Sequence, residues 1–168
     1  MDPGNLTVVK KMLAEGNTMG VMELTGKAYS LTGRVMEGNK IGRTLGFPTA
    51  NMELYDNESI IPARGVYAAM VYVRDTWYAA MVNIGIRPTI NLHRLTVEAH
   101  LFNFSKEIYG ETFSIHFLKY IRNEMRFTSL EELKRQLQAD KKIIRKVIAE
   151  TTPGIISNGE ALVWVRSS

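Results

Sequence analysis

The string GRTLGFPTAN at residues 42–51 carries the densest chemical signal in the chain. Gly42 and Gly46 permit backbone geometries and close approaches that a β-carbon obstructs, so their amides can face phosphate oxygens. Arg43 adds a permanent charge with several donors. No GxxxxGK[ST] string is present, so this is not a Walker A loop, and two readings of the glycines stand side by side: a nucleotide cradle or a structural turn. Pro48 fixes its own backbone and biases Phe47 towards an extended form. A strand starting there puts Thr49 and Asn51 on one face. A hydroxyl and an amide carbonyl are hard, neutral oxygen ligands, suited to a magnesium ion that takes most of its charge balance from substrate phosphates. The other reading is a Thr/Asn pair bonded to the adjacent turn.

A carboxylate arrives from farther along. In RLTVEAHLF, Leu95, Val97, Ala99 and Leu101 form one strand face, which sends Thr96, Glu98 and His100 to the other. A strand glutamate is ordinarily exposed or paired with a cation. Beside a bound hydroxyl it aligns the nucleophile and accepts its proton, a modest role that suffices for phosphoryl transfer, where positioning and charge neutralisation supply most of the acceleration.

The elements that must hold these groups are legible in outline. From Leu6 to Thr25 the pattern predicts two short helices, interrupted near Gly16 and Asn17 and stopped near Gly26. From Tyr29 to Tyr120, short β-branched and aromatic runs separated by turn residues predict a compact antiparallel sheet or barrel. GVYAAMVYV and WYAAMVNIG flank a turn at Arg74 to Thr76, and TVEAHLFNF and TFSIHFLKYI read as a second hairpin around Tyr109 to Glu111. Thr128 with Glu131 predicts a capping box opening a helix whose apolar face is Leu130, Leu133, Leu137, Ile144, Val147 and Ile148 and which Pro153 and Gly154 end. The tail reads as a strand through Leu162 to Val165 or as an extension.

Composition narrows the function classes. The 168 residues suit one domain and one active site, with 45% hydrophobic and 23% charged residues, an ordinary globular balance. With no cysteine there is no disulfide framework or thiol nucleophile. His93, His100 and His116 lack metal-ligand spacing and read as surface or packing residues. No apolar run reaches the roughly 20 residues of a membrane span, and no secretory layout opens the chain, so a cytoplasmic protein without a membrane partner is expected. Net charge is +4, mildly favouring anionic ligands. KKIIRK at 141–146 reads as a solvated helix face, and without an aromatic stacking ladder no nucleic-acid partner is expected.

Taken in order, LTGRVMEGNKIGRTLGFPTAN, IPARGVYAAMVYV, MVNIGIRPTI, TVEAHLFNFSKEIYGE and IRNEMRFTSLEELKRQLQAD resemble the riboflavin kinase family, in particular the C-terminal kinase module of bacterial bifunctional riboflavin kinase/FAD synthetases. The resemblance covers about residues 28 to 140. It implies a mainly β fold, a six-stranded antiparallel Greek-key barrel with a long C-terminal helix beside the short N-terminal ones. The implied reaction moves the terminal phosphate of ATP, with Mg2+, onto the ribityl 5′-hydroxyl of riboflavin, giving FMN and ADP. Carried over by motif, Thr49 and Asn51 belong at the metal and phosphates, Asn51 also near the acceptor hydroxyl, and Glu98 is the base. Gly38, Lys40, Gly42, Arg43, Gly46, Pro48 and Thr49 fall on the ATP side, within or beside a mobile loop from Gly38 to Gly46. Arg122, Glu124 and Phe127 fall on the flavin side, or else form an ordinary strand-to-helix connection.

Two departures qualify the match. The stretch LFNF has Asn103 where relatives commonly carry Asp, a position with no assigned catalytic role. Residues 1–27 resemble only the last helices of an adenylyltransferase domain, whose HxGH-type motif is absent from this chain. The expected organisation is therefore 1–27 as that remnant or linker, 28–150 as the kinase barrel and helix, and 151–168 as a tail without assigned role. FMN synthesis without FAD synthesis is expected, with any adenylyltransferase partner domain separate or deleted. The competing expectation is a non-catalytic module with the same barrel that binds flavin or nucleotide.

Overall fold

Alternating side chains resolve into β1 (Tyr29–Glu37), β2 (Ala50–Leu54), β3 (Gly65–Val73), β4 (Thr76–Thr89), β5 (Leu92–Leu101) and β6 (Thr112–Arg122). In the computed structural model, which describes residues 2–38, 40–89, 92–151, 155–158 and 161–164, these strands close an antiparallel barrel in the order β1-β2-β5-β4-β3-β6. Its interior is filled by alternate residues, among them Val35, Tyr67, Val71, Val82, Phe113 and Phe117. Closure leaves the barrel without a free sheet edge.

The β3–β4 hairpin turns on Arg74 and Asp75, both at positive φ (51° and 57°), with Val73 opposite Thr76. Two left-handed residues match the strand twist of a two-residue hairpin. The second expected hairpin is corrected by the topology. β5 pairs with β2 and β4, whereas β6 pairs with β1 and β3, so the two are not neighbours. The connection between them pairs with β1 instead: Gly110 N donates to Val35 O and Val35 N donates to Glu111 O, each at 2.8 Å. Asn103 in this connection has φ 55°, a left-handed conformation that Asn and Asp tolerate better than most residues.

Both faces of β3 are covered, because α4 (Leu130–Thr151) lies on the outer surface of β3, β4 and β6. Ile144 and Ile148 of α4 pack with Ala68, Met81 and Leu118. Leu130 is 57% exposed and takes no part, while Asp140, an acidic residue in the same stripe, is fully buried. The helix cap sits one residue later than expected. Glu132 N donates to Ser129 Oγ at 3.2 Å, and the Glu132 carboxylate reaches back to accept from Thr128 N and Oγ1. Ser129 and Thr128 share the cap with Glu132, which takes the place expected of Glu131. The proposed stop at Pro153 and Gly154 lies outside the described residues, as do Val165 and the His93 side chain.

The N-terminal helices fall as the breakers indicate. α1 (Pro3–Ala14) ends before Gly16, which has φ 77°, and α2 (Thr18–Thr25) is capped by Asn17 and ends on left-handed Gly26. They dock on the barrel: Met22 joins the apolar layer under α4, and Ala63 N donates to Leu13 O at 2.9 Å. The tail forms a hairpin of β7 (Ile155–Asn158) and β8 (Ala161–Trp164). Ala28 N donates to Leu162 O at 3.0 Å, and buried Leu162 packs in the same layer as Met22.

Candidate active site

The reactive groups sit on the outer surface of the barrel, where three strands present polar side chains side by side. Asn51 of β2 is in register with Glu98 of β5, and Glu98 with Asn83 of β4. Opposed residues of antiparallel strands hold their Cβ atoms about 4.5–5.5 Å apart, so one polar row crosses all three. Glu98 and Asn83 line a cleft of about 250 Å³, at the small end for ligand sites. Thr49, Gly42 and Ile41 form one wall, and Arg122, Glu124 and Phe127 contribute to another.

Thr49 and Glu98 line the cleft together, and Arg87 Nη2 approaches Glu98 Oε1 at 3.2 Å. Glu98 is only 11% exposed. Burial pushes its carboxyl above the ordinary glutamate value, against the opposing pull of Arg87 and Thr49. A carboxylate disfavoured in its charged form is a better proton acceptor. Asn51 Oδ1 is buried without a hydrogen-bond partner among the described residues. An unmatched buried carbonyl costs stability unless a ligand completes it.

His100 holds this wall from below. It is 6% exposed, its ring lies 5.1 Å from Phe47 and 5.6 Å from Phe102, and its Nδ1 is 2.8 Å from the Pro48 carbonyl. The carbonyl can only accept, so Nδ1 carries the proton. Lys141 lies over the Phe47 and Phe102 rings, which ties the basic run of α4 to the PTAN segment. His116 is likewise a packing residue, with burial depressing its imidazole to about 4.

The span from Gly38 to Gly46 is not wholly loop. It contains α3 (Lys40–Thr44), closed by Phe47 N donating to Gly42 O at 2.7 Å and by left-handed Gly46. Arg43 points to the 102–111 connection, where Nη2 donates to Tyr109 Oη at 2.7 Å. Lys40, Gly46 and Pro48 are exposed and do not line the cleft. Gly38 abuts Thr49: a β-carbon there would overlap the Thr49 carbonyl and hydroxyl. Gly38→Ala is therefore expected to displace Thr49 and cut turnover about 10²-fold, with the barrel's melting temperature little changed. Steady-state rates beside thermal melts check this.

On the opposite wall, Arg122 makes a bidentate pair with Asp140 of α4, at 2.7 Å through Nη2, and Glu124 accepts from Arg64 Nε at 3.0 Å. Glu124 can lie against β4 because position 85 is glycine; a β-carbon there would overlap Oε1. Thus Thr49, Glu98, Gly42, Arg122, Glu124 and Phe127 meet at one cleft, and Asn51 stands next to Glu98 in the row. Asn83, His100, Arg64 and Asp140 were not singled out as site residues by the sequence. His100 had a signal in its strand alternation with Glu98, and Asp140 in its place on the buried stripe between Leu137 and Ile144.

Residues 25–148 match the model of the family described as Flavokinase, riboflavin kinase. The chain belongs to the riboflavin kinase family. A bifunctional riboflavin kinase/FMN adenylyltransferase of Haemophilus influenzae is 42% identical over 135 residues, covering 80% of this chain and 43% of that protein. The Escherichia coli protein of the same description is 38% identical over 148 residues, covering 88% and 47%. The chain thus spans less than half the length of these relatives. A solved structure described as a macrolide-efflux protein from Streptococcus pneumoniae superposes with TM-score 0.78 at 35% identity, over 83% of this chain and 45% of that one. Riboflavin kinase from Trypanosoma brucei shares the fold, with TM-score 0.53 at 24% identity, over 75% and 83%. Among the described residues no helix is long and apolar enough to cross a membrane.

Proposed function

We propose that this chain transfers the terminal phosphoryl group of ATP to the ribityl 5′-hydroxyl of riboflavin, in the cytoplasm, and stops at FMN. The observation that carries the reading is the register that sets Asn51 beside Glu98, at a cleft that Thr49 and Glu98 line together with Arg122, Glu124 and Phe127. Glu98 accepts the proton as the 5′-oxygen bonds to phosphorus and the bond to the ADP oxygen breaks. Thr49 aligns the carboxylate, and the walls exclude water that would compete for the phosphoryl group.

The residues present fit a magnesium ion. Asn51 Oδ1 is a buried oxygen lacking a partner among the described residues, and the Thr49 hydroxyl is a second hard, neutral donor. Bound there with the nucleotide, Mg2+ supplies neutralisation of the triphosphate charge. Gly42 and the other residues of the Gly38–Thr49 stretch are assigned to ATP, and Arg122, Glu124 and Phe127 to the flavin. Residues 1–27 are assigned to the end of an adenylyltransferase region or linker, and these 168 residues to the kinase reaction alone.

Purified protein given riboflavin, ATP and Mg2+ is expected to accumulate FMN, with no FAD, on a chromatogram of the products. FAD in the mixture overturns the kinase-only reading. Riboflavin bound but unconverted supports a binding module in place of an enzyme.

A further inference from the structure

The polar groups of the cleft are mostly spoken for. Glu98 is engaged by Thr49 and Arg87, His100 through its Nδ1 by the Pro48 carbonyl, Arg122 by Asp140 and Glu124 by Arg64, while His100 Nε2 is turned inward, buried without a partner among the described residues. Asn83 differs. It lines the cleft half-buried, and its amide makes no hydrogen bond to another described residue. A carboxamide has two donor hydrogens and an acceptor oxygen, which a ligand entering the cleft can meet.

Its position says which part of a ligand arrives there. Asn83 is directly across from Glu98, where the reacting hydroxyl must sit, and two residues along the same strand is Gly85, overlain by Glu124. A β-carbon placed on Gly85 would lie 3.4 Å from Asn83 Nδ2, so the amide nitrogen faces that bare patch of backbone. Successive same-face residues of a strand are separated by roughly 6.5 Å. A ligand reaching from Glu98 to Glu124 therefore passes the Asn83 amide with the atoms one to a few bonds removed from its reacting hydroxyl. For an acceptor whose reacting group ends a polyol chain, those atoms are secondary hydroxyls, each of which both donates and accepts.

We propose that Asn83 is a specificity-determining residue that grips the secondary hydroxyls of the acceptor's polyol chain. In doing so it fixes the terminal hydroxyl against Glu98. The inference rests on the reading of riboflavin as acceptor, and it assigns a contact to a residue outside the PTAN, VEAH and IRNEMRF motifs. An apolar residue at 83 would leave the chain's hydroxyls unmatched in an enclosed site, the situation in which sites built for hydrogen bonds discriminate most strongly.

The test compares the parent with Asn83→Ala and Asn83→Ser, using riboflavin and its 3′- and 4′-deoxy analogues. Both kinetics and binding are read, the latter by quenching of flavin fluorescence without ATP. With riboflavin, Asn83→Ala is expected to lose about ten- to hundredfold in kcat/KM and in affinity, while the KM for ATP stays within about twofold. Asn83→Ser, which retains one polar group, should fall between. With the deoxy analogue lacking the gripped hydroxyl, parent and variant should converge to within about threefold, because each partner has already lost the other. Equal losses on riboflavin and on both analogues, or a loss confined to ATP, overturn the proposal. Failure of the parent to make FMN while the hydroxyl-dependent binding difference persists sinks the kinase reading and leaves the Asn83 contact standing. Failure of the parent to bind riboflavin at all sinks both.

Discussion

Glu98→Gln is expected to lower kcat by about 10²–10⁴-fold and, at neutral pH, to raise the melting temperature. The two effects share one cause. Burial raises the Glu98 carboxyl above its ordinary value, so the folded protein prefers this group protonated. A folded-state value above the unfolded one contributes stability that is fully present at low pH and is lost as pH rises through the folded value. At neutral pH the parent therefore carries the cost of a shielded charge, which glutamine does not. Glutamine keeps an oxygen to accept from Thr49 but has no basic site for the hydroxyl proton. Arg87 loses its partner with little consequence, because it is 52% exposed and such pairs contribute at most about 1 kcal/mol.

The pH dependence separates this account from a structural role. In the parent, kcat/KM for riboflavin should fall on the acid side at a pH above the ordinary glutamate range, and that limb should vanish in the residual activity of Glu98→Gln. Melting curves of the two proteins should converge once the pH is low enough to protonate Glu98. A variant that turns over like the parent, or that is less stable at neutral pH, would falsify the assignment of Glu98 as base.

Much of this site was legible because the features that mark it are local. Alternation along Leu95–Leu101 separated Val97, Ala99 and Leu101, now inside the barrel, from Glu98 and His100 outside it. Pro48 marked the segment that carries Thr49 and leads into β2 at Ala50. What was missed is decided at longer range. Whether β5 pairs with β6 or with β2 depends on barrel closure, and neighbours in sequence are not always neighbours in a sheet. Asp140 hid because a charged residue interrupts the apolar stripe of α4; only the guanidinium of Arg122, arriving from β6, makes its burial tolerable. α3 hid as well, since a five-residue helix containing Gly42 has almost no propensity signal and is closed by Phe47 N bonding back to Gly42 O. Asn83 has no local mark at all: an amide in a strand acquires meaning from the carboxylate across from it.

Asp140→Ala is expected to lower stability by about 3–5 kcal/mol, the cost of leaving a shielded charge without its partner. Asp140 is 1% exposed and Arg122 17%, and the pair is reinforced by Gln136 Nε2 donating to Asp140 Oδ1 at 2.9 Å. In a domain of this size each kcal/mol corresponds to about 2–4 °C, so melting should drop by roughly 10 °C. Because the pair joins the end of β6 to α4, and Arg122 lines the cleft beside Glu124 and Phe127, its loss should also loosen the flavin wall. The double variant Arg122→Met, Asp140→Leu divides these effects. Replacing a buried ion pair by apolar side chains of similar size is commonly neutral or stabilising, so melting should recover towards the parent. Riboflavin kinetics should not recover, because the guanidinium that helps shape the wall is gone, while the KM for ATP stays near that of the parent. If Asp140→Ala melts with the parent, the pair does not hold α4 to the barrel. If the double variant regains both stability and riboflavin turnover, Arg122 acts only as a fastening for the helix and the flavin wall is formed without it.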